Sequence, residues 1–241
     1  MFDNYPEKEI DDKTYYEERR KKRKRKNTVF LIGIIGLVFF AVVAIIIFII
    51  SSQQSEDHIV RKPVIYLYPD KTLEVSVKLA FDNITCTYPE YDEDGWKVTA
   101  YPDGALTDHQ GNKYSYLFWE GMTKTEFDFS EGFCVKGSDT AEFLRWALSE
   151  QGLDPKECND FIVYWLPEMQ DNDYNIISFQ GEAYEQLAPL DITPAPDNIK
   201  RVFMAYYPST GKKEIPPQAL TGFDRSGFTV VEWGGVCVKG K

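Results

Sequence analysis

The longest run of apolar positions in the chain, Val29 to Ile50, predicts a membrane-spanning helix. Its 22 residues include no polar side chain. At about 1.5 Å per residue they extend roughly 33 Å, which matches the hydrocarbon core of a bilayer. A buried helix of a soluble protein would need a polar face or flanking partners of equal hydrophobicity, and the sequence offers neither.

The flanks of this run favour an uncleaved anchor over a cleaved signal peptide. The run exceeds the roughly 7–15 apolar residues of a signal peptide, and no small-x-small cleavage motif follows Ile50. The pattern therefore predicts a basic tail over residues 1–28, a transmembrane helix over 29–50, a linker over 51–62 and a folded domain over 63–241.

Charges beside the run predict its orientation. Eight consecutive bases occupy residues 19–26, whereas residues 51–57 contain two acids and no base. The positive-inside rule places the N-terminus in the cytoplasm and the C-terminal domain outside, so we expect a single-pass protein of the plasma membrane. A topology signal is the favoured interpretation of the bases. A nuclear localisation signal and a clamp for anionic lipids are the alternatives.

Alternation of apolar and polar positions after residue 62 predicts strands. Leu73, Val75, Val77 and Leu79 alternate with polar residues, and so do Trp96, Val98 and Ala100. Residues 64–68 form a short apolar strand, and residues 106–119 are typical of a hairpin with its tip at 108–112.

The second half of this part mixes helices with strands. Asp139 and Glu142 have the spacing of a capping box, which predicts a helix over 138–151, and Asp154-Pro155 predicts a short helix to about residue 160. Apolar runs at 161–166, 176–180, 199–207 and 228–233 are interpreted as strands. The fold class is therefore α+β and predominantly β, with one or two helices, preceded by a single transmembrane helix.

Eight segments of this part resemble a family of uncharacterised bacterial proteins, mostly from Gram-positive, Clostridia-like organisms, that are exported or membrane-anchored. The segments are KPVIYLYP (62–69), TCTYPEY (85–91), GWKVTAYPDGALTD (95–108), YSYLFWEG (114–121), FCVKG (133–137), FIVYWLP (161–167), YNIISFQG (174–181) and GFTVVEWGG (227–235). The resemblance covers nearly all of residues 62–235. It implies a bacterial extracytoplasmic domain and brings no known activity or catalytic residue.

Net charge argues against a nucleic-acid partner. The chain has 27 basic and 38 acidic side chains, and its net charge is −11. The excess of acids lies after residue 50, where phosphates would be repelled. The partners we expect are the lipid bilayer and either cell-wall glycan or another envelope protein, contacted by a binding or scaffolding module.

Histidine content disfavours several enzyme classes. The chain has two histidines, His58 in the predicted linker and His109 at the predicted hairpin tip. Hydrolases with a Ser–His–Asp or Cys–His arrangement need a histidine beside the nucleophile, and catalytic zinc sites prefer several. No cofactor is predicted, and the sequence favours binding over catalysis.

Three carboxylates beside three tryptophans form the strongest candidate chemistry. Glu120, Glu168 and Glu232 lie near Trp119, Trp165 and Trp233. Carboxyl pairs cleave glycosidic bonds, and aromatic faces stack on sugar rings, so an envelope glycan hydrolase and a glycan-binding site are the two hypotheses. The competing interpretation is that an acid next to an inward aromatic on a strand faces water.

The remaining candidates are a calcium loop and a disulfide. Asp92 and Asp94 have the spacing of calcium ligands, although turn chemistry explains the same residues. Four cysteines allow three disulfide pairings, and Cys86–Cys134 is favoured because both lie in strand-like runs. Buried free thiols are the alternative.

Overall fold

The computed structural model describes residues 12–52 and 57–238. The chain forms two compact units that divide between residues 54 and 55. The predictions for residues 1–11, 53–56 and 239–241 lie outside the described residues.

The first unit contains helix α1 (Asp12–Ser52), which continues from the basic run into the apolar run without a break. The most apolar window of α1 has a mean hydropathy of 2.9, and none of it is buried. Within residues 12–52 and 57–238, α1 is the one helix that is long and apolar enough to cross a membrane. A membrane-spanning helix and a signal sequence near the N-terminus can both meet this criterion.

The second unit is α+β and mostly sheet, which confirms the predicted fold class. Its strands are β1 (His58–Tyr68), β2 (Leu73–Leu79), β3 (Ile84–Tyr88), β4 (Trp96–Ala100), β5 (Leu106–Thr107), β6 (Lys113–Tyr114), β7 (Leu117–Thr123), β8 (Phe133–Lys136), β9 (Tyr174–Phe179), β10 (Leu190–Thr193), β11 (Asn198–Ser209) and β12 (Thr229–Cys237). Its helices are α2 (Thr140–Glu150), α3 (Pro155–Met169) and α4 (Gly181–Leu187).

Two sheets are built from these strands. Seven strands follow the order β3-β7-β1-β12-β11-β9-β8, and five follow the order β10-β2-β4-β5-β6. Strands β11 and β12 are parallel, whereas β1 pairs with β12 and β7 in antiparallel fashion. The first and last strands of the domain are therefore neighbours in the middle of the larger sheet.

Both faces of the seven-stranded sheet are covered. One face shares a core with the five-stranded sheet, where Val230 and Phe203 lie in the same cluster as Val75. The other face packs against α2 and α3, through residues that include Val231 and Trp233. Residues 229–236 of β12 are consequently buried without alternation, as expected for a strand that is covered on both faces.

Residues 161–166 lie in α3 rather than in a strand, so the strand prediction is wrong. Phe161, Trp165 and Met169 repeat at a spacing of four and are buried, whereas Val163 faces outward. A run of six apolar residues does not distinguish a strand from one turn and a half of buried helix. In the structure the helix that begins at Pro155 continues past residue 160 to Met169.

The capping box forms at α3 and not at α2. Asp154 accepts a hydrogen bond from the backbone N–H of Glu157 at 2.8 Å, and the Glu157 carboxylate accepts one from the Asp154 backbone N–H at 2.8 Å. Asp139 makes no side-chain capping bond at the start of α2. Its backbone has helical dihedral angles because a short 3₁₀ turn precedes α2.

The predicted linker, 51–62, is too long at its C-terminal end. Strand β1 begins at His58, where it pairs with Thr123 of β7. His58 is buried and its ring lies 5.7 Å from the ring of Phe127. The polar appearance of residues 58–62 therefore comes from an irregular strand and not from a linker.

Candidate functional site

Strand β1 is interrupted by a bulge at residues 61–64. Its register against β12 shifts between Arg61 and Val64, and its register against β7 shifts between Val60 and Val64. Lys62 has φ +56°, and among the described residues it is the one non-glycine residue in this left-handed region. Such a backbone costs roughly 1–3 kcal/mol and is found most often at functional sites.

The bulge holds the Lys62 ammonium among three aromatic rings. Its Nζ lies 5.1 Å from the ring centre of Tyr116, 5.2 Å from that of Phe118 and 5.9 Å from that of Tyr164. The ammonium also donates to the Tyr116 hydroxyl at 3.3 Å. The three rings are half-buried, so the ammonium gains cation–π attraction while part of each ring stays accessible.

Two of the three predicted carboxylates contact the bulge, one at Lys62 and the other at Arg61. Glu120 accepts a hydrogen bond from the Lys62 backbone N–H at 3.3 Å. Glu168 accepts one from Arg61 at 2.6 Å and one from the Tyr206 hydroxyl at 3.3 Å. We name this group the bulge cluster; its members are Arg61, Lys62, Tyr116, Phe118, Glu120, Tyr164 and Glu168.

The surroundings of the bulge cluster shift the pKa of neighbouring tyrosines. Burial raises the pKa of Tyr164, and the negative charge of Glu120 raises it further. Burial is also the main cause that raises the pKa of Tyr206, with Cys237 and Glu168 adding to the effect. Both phenols therefore remain neutral hydrogen-bonding groups at neutral pH.

Glu232, the third predicted carboxylate, is buried on the opposite face of the seven-stranded sheet. It accepts hydrogen bonds from Arg201 Nε at 2.5 Å, Trp119 Nε1 at 3.1 Å and the Tyr184 hydroxyl at 3.1 Å. The guanidinium also lies 4.6 Å from the Tyr184 ring centre. The Glu232 carboxylate therefore stabilises the core through these buried hydrogen bonds. It cannot act with the two carboxylates of the bulge cluster, which lie on the other face of the sheet.

This arrangement corrects the expectation that Glu232 faces water. An acid next to an inward aromatic would face water on a strand with one exposed face. Both faces of β12 are buried, so Glu232, on the face opposite to Trp233, points into the core between the two sheets. Arg201 lies directly opposite Glu232 in the β11–β12 register. Sequence reasoning missed Arg201; the available signal was a pair of charged residues, Lys200 and Arg201, near the start of an apolar run.

The three predicted binding tryptophans offer no surface to a sugar. Trp119, Trp165 and Trp233 are each 0% exposed, so the prediction that they stack on a ligand is wrong. Trp119 lies between the two sheets, and the other two lie between the larger sheet and its helices. Large aromatic residues are often placed in cores because they bury the most apolar area.

Trp146 is the tryptophan that the sequence analysis missed, and it is 47% exposed. Its ring centre lies 5.9 Å from that of Phe133 and 5.7 Å from that of Phe143. These rings line a groove of about 460 Å³ beside the edge strand β8, together with Cys134 and Ile215. The sequence signal for the exposure of Trp146 was its position on α2, which lies outside the buried positions Leu144, Ala147 and Leu148.

The acidic loop at residues 92–95 is engaged by lysines and by its own turn. Asp94 forms ion pairs with Lys97 at 3.0 Å and Lys78 at 3.8 Å, and hydrogen bonding to Lys97 is the main cause that lowers the pKa of Asp94. The carbonyl of Asp92 accepts from the backbone N–H of Gly95 at 3.0 Å, which closes the turn. Residues 12–52 and 57–238 contain no group of three or more metal-ligating side chains.

The favoured disulfide does not form. Cys86 and Cys134 are both free, and they lie on β3 and β8, the two outer strands of the seven-stranded sheet. Neighbouring strands are about 4.8 Å apart, so roughly 29 Å separates the two edges. A disulfide needs Cα atoms closer than about 7 Å.

Comparison with known proteins gives one relative of unknown activity. The chain is 49% identical over 63 residues to a Butyrivibrio fibrisolvens protein named "Uncharacterized protein in bglA 3'region". The match covers 25% of this chain and 65% of that protein, which is less than two thirds of its length. No protein-family model and no solved structure matches the chain. The family resemblance is therefore supported only as similarity to an uncharacterised protein.

Proposed function

We propose that the chain is a single-pass membrane protein whose N-terminal tail lies in the cytoplasm and whose second unit is displayed outside the cell. The observation that carries this proposal is α1, an unbroken helix that joins eight bases to 22 residues without a polar side chain. Bases are retained on the cytoplasmic side of a span, and the apolar run is long enough to cross.

The orientation can be tested with the cysteines of the chain. Cys86 is exposed, so a membrane-impermeant maleimide should label it in intact cells if the domain is outside. The tested chain carries Cys134→Ser and Cys237→Ser, and the matched control adds Cys86→Ser together with Tyr16→Cys on the basic side of α1. Labelling of the first chain alone supports the proposed orientation, and labelling of the control alone reverses it.

The proposed role of the outer domain is to bind cell-wall glycan at the bulge cluster. Tyr116, Phe118 and Tyr164 offer partly accessible rings, and the cluster also holds ammonium, guanidinium and carboxylate groups. Ligand sites combine apolar and aromatic walls with a few placed polar groups, and sugars present both apolar ring faces and hydroxyls. The strained backbone of Lys62 adds to the argument, because such strain concentrates at functional sites.

Sedimentation with purified peptidoglycan sacculi tests this role. Residues 57–241 are suitable for the assay because both hydrophobic cores lie within this part of the chain. Lys62→Gln and Tyr164→Ala should each reduce the pelleted fraction, whereas the matched changes Lys71→Gln and Tyr88→Ala, at exposed positions outside the cluster, should leave it unchanged. Absence of pelleting, or equal loss in all four variants, would refute glycan binding at this cluster.

The alternative function is hydrolysis of envelope glycan by carboxylates. One observation favours it, since Glu120 and Glu168 both belong to the bulge cluster, and a carboxyl pair is the minimum that such chemistry requires. New reducing ends in the supernatant of the same assay, lost in Glu120→Gln and in Glu168→Gln, would support hydrolysis. Pelleting without new reducing ends would leave binding as the function.

A further inference from the structure

Bases of α1 surround the helix just before its apolar part. The eight residues 19–26 are all exposed, and they belong to the same continuous helix as the apolar run. Successive helical residues are about 100° apart, so eight of them complete roughly two turns and leave no side of the helix without a base. We name residues 19–26 the basic collar.

The position of the basic collar fits the headgroup layer of a membrane. At about 1.5 Å per residue the collar is roughly 12 Å long. Only Asn27 and Thr28 separate it from the apolar run. Lysine and arginine side chains are long enough to keep their stems along apolar surface while their charged ends stay in the polar layer.

We propose that the basic collar binds the headgroups of anionic phospholipids in a shell around the helix. This proposal rests on the membrane anchoring proposed above and adds its lipid partner. Charge complementarity is the main argument, because a topology signal does not require bases on every side of a helix, whereas a shell of anionic headgroups does. A stripe of bases would instead favour one protein partner on one side.

Lipid association can be measured on the full chain reconstituted in phosphatidylcholine vesicles that contain phosphatidylglycerol as a minor component. Spin-labelled analogues of both lipids report the fraction that is immobilised beside the protein. One contact between a base and an anionic headgroup corresponds to about a fivefold preference, so we expect about fivefold more phosphatidylglycerol than phosphatidylcholine at the protein. Added salt should reduce this preference.

Two variants with equal charge change distinguish the basic collar from the rest of the chain. The collar variant combines Arg20→Gln, Lys22→Gln, Arg23→Gln and Arg25→Gln, and the control combines Lys71→Gln, Lys124→Gln, Lys136→Gln and Lys212→Gln, all at exposed positions. We expect the preference to fall to about twofold or less in the collar variant and to persist in the control. Equal immobilisation of both lipids beside the unaltered chain, or equal loss in both variants, would overturn the proposal.

Flotation of the same samples separates this proposal from membrane anchoring. A chain that floats with pure phosphatidylcholine vesicles but shows no lipid preference is anchored without a lipid shell, so only the basic collar proposal fails. A chain that does not float with any vesicle contradicts the anchor, and the lipid proposal fails with it. Retention of duplex DNA without a lipid preference would assign the bases to nucleic acid and would also overturn the proposal.

Discussion

Replacing Arg201 with methionine would leave the buried Glu232 carboxylate without its cation. The side chain of Arg201 is 4% exposed and that of Glu232 is 0% exposed, so neither charge is hydrated in the folded domain. Removal of one partner of a buried ion pair costs about 3–5 kcal/mol, because the remaining charge stays desolvated. We expect Arg201→Met to lower the free energy of unfolding by that amount.

Urea unfolding of residues 57–241, followed by tryptophan fluorescence and circular dichroism, measures this loss. Arg61→Met is the matched control, since its ion pair with Glu168 has side chains that are 29% and 40% exposed and should contribute less than about 1 kcal/mol. Addition of Glu232→Gln to Arg201→Met should recover at least half of the loss, because glutamine still accepts from Trp119 and Tyr184 without a charge. A loss of stability under about 1 kcal/mol in Arg201→Met would refute the argument.

Three further predictions concern packing, ionisation and thiol reactivity. Gly235→Ala should lower the free energy of unfolding by about 1–3 kcal/mol in urea titrations, because a Cβ would lie 2.6 Å from the Met204 carbonyl oxygen and 2.8 Å from the Trp165 ring. Burial raises the pKa most strongly for four tyrosines, which are Tyr66, Tyr68, Tyr184 and Tyr206. Stability should therefore fall as the pH rises above about 10, and absorbance titration should detect these four phenols ionising only with unfolding. Burial raises the pKa of Cys158 to about 11, so a thiol reagent at about pH 8 should modify Cys86 rapidly and Cys158 only as the domain unfolds. Rapid modification of Cys158 in the folded domain would contradict this.

Local patterns were sufficient where the period or the length of an apolar pattern specifies one kind of element. The alternation from Leu73 to Leu79 predicted β2 with the correct bounds, and the uncharged run at Val29 predicted the apolar part of α1. The run from Phe161 failed because its pattern fits a strand and a helix equally well. Tertiary context decided between them, since the helix packs Trp165 against Tyr206 of β11.

The candidate site was less predictable because it depends on contacts between distant parts of the chain. Glu120 and Glu168 were chosen only for their neighbouring tryptophans, and those rings point into the cores. What unites the two acids is the bulge at Lys62, and no local sequence signal marks a bulge formed by lysine at positive φ. The pairing of Arg201 with Glu232 likewise requires the β11–β12 register, which the order of elements does not specify.

The central place of β12 has a consequence for the order of biosynthesis. Strand β12 lies between β1 and β11, so the larger sheet stays divided until residues 229–237 have been synthesised. A pairing between the first and last strands has a high loop-closure cost and folds slowly. If the domain is exported as proposed, the chain passes the translocation channel before its sheet can close. Export and folding are then sequential steps, and a stop codon before residue 229 leaves an exported chain without its middle strand.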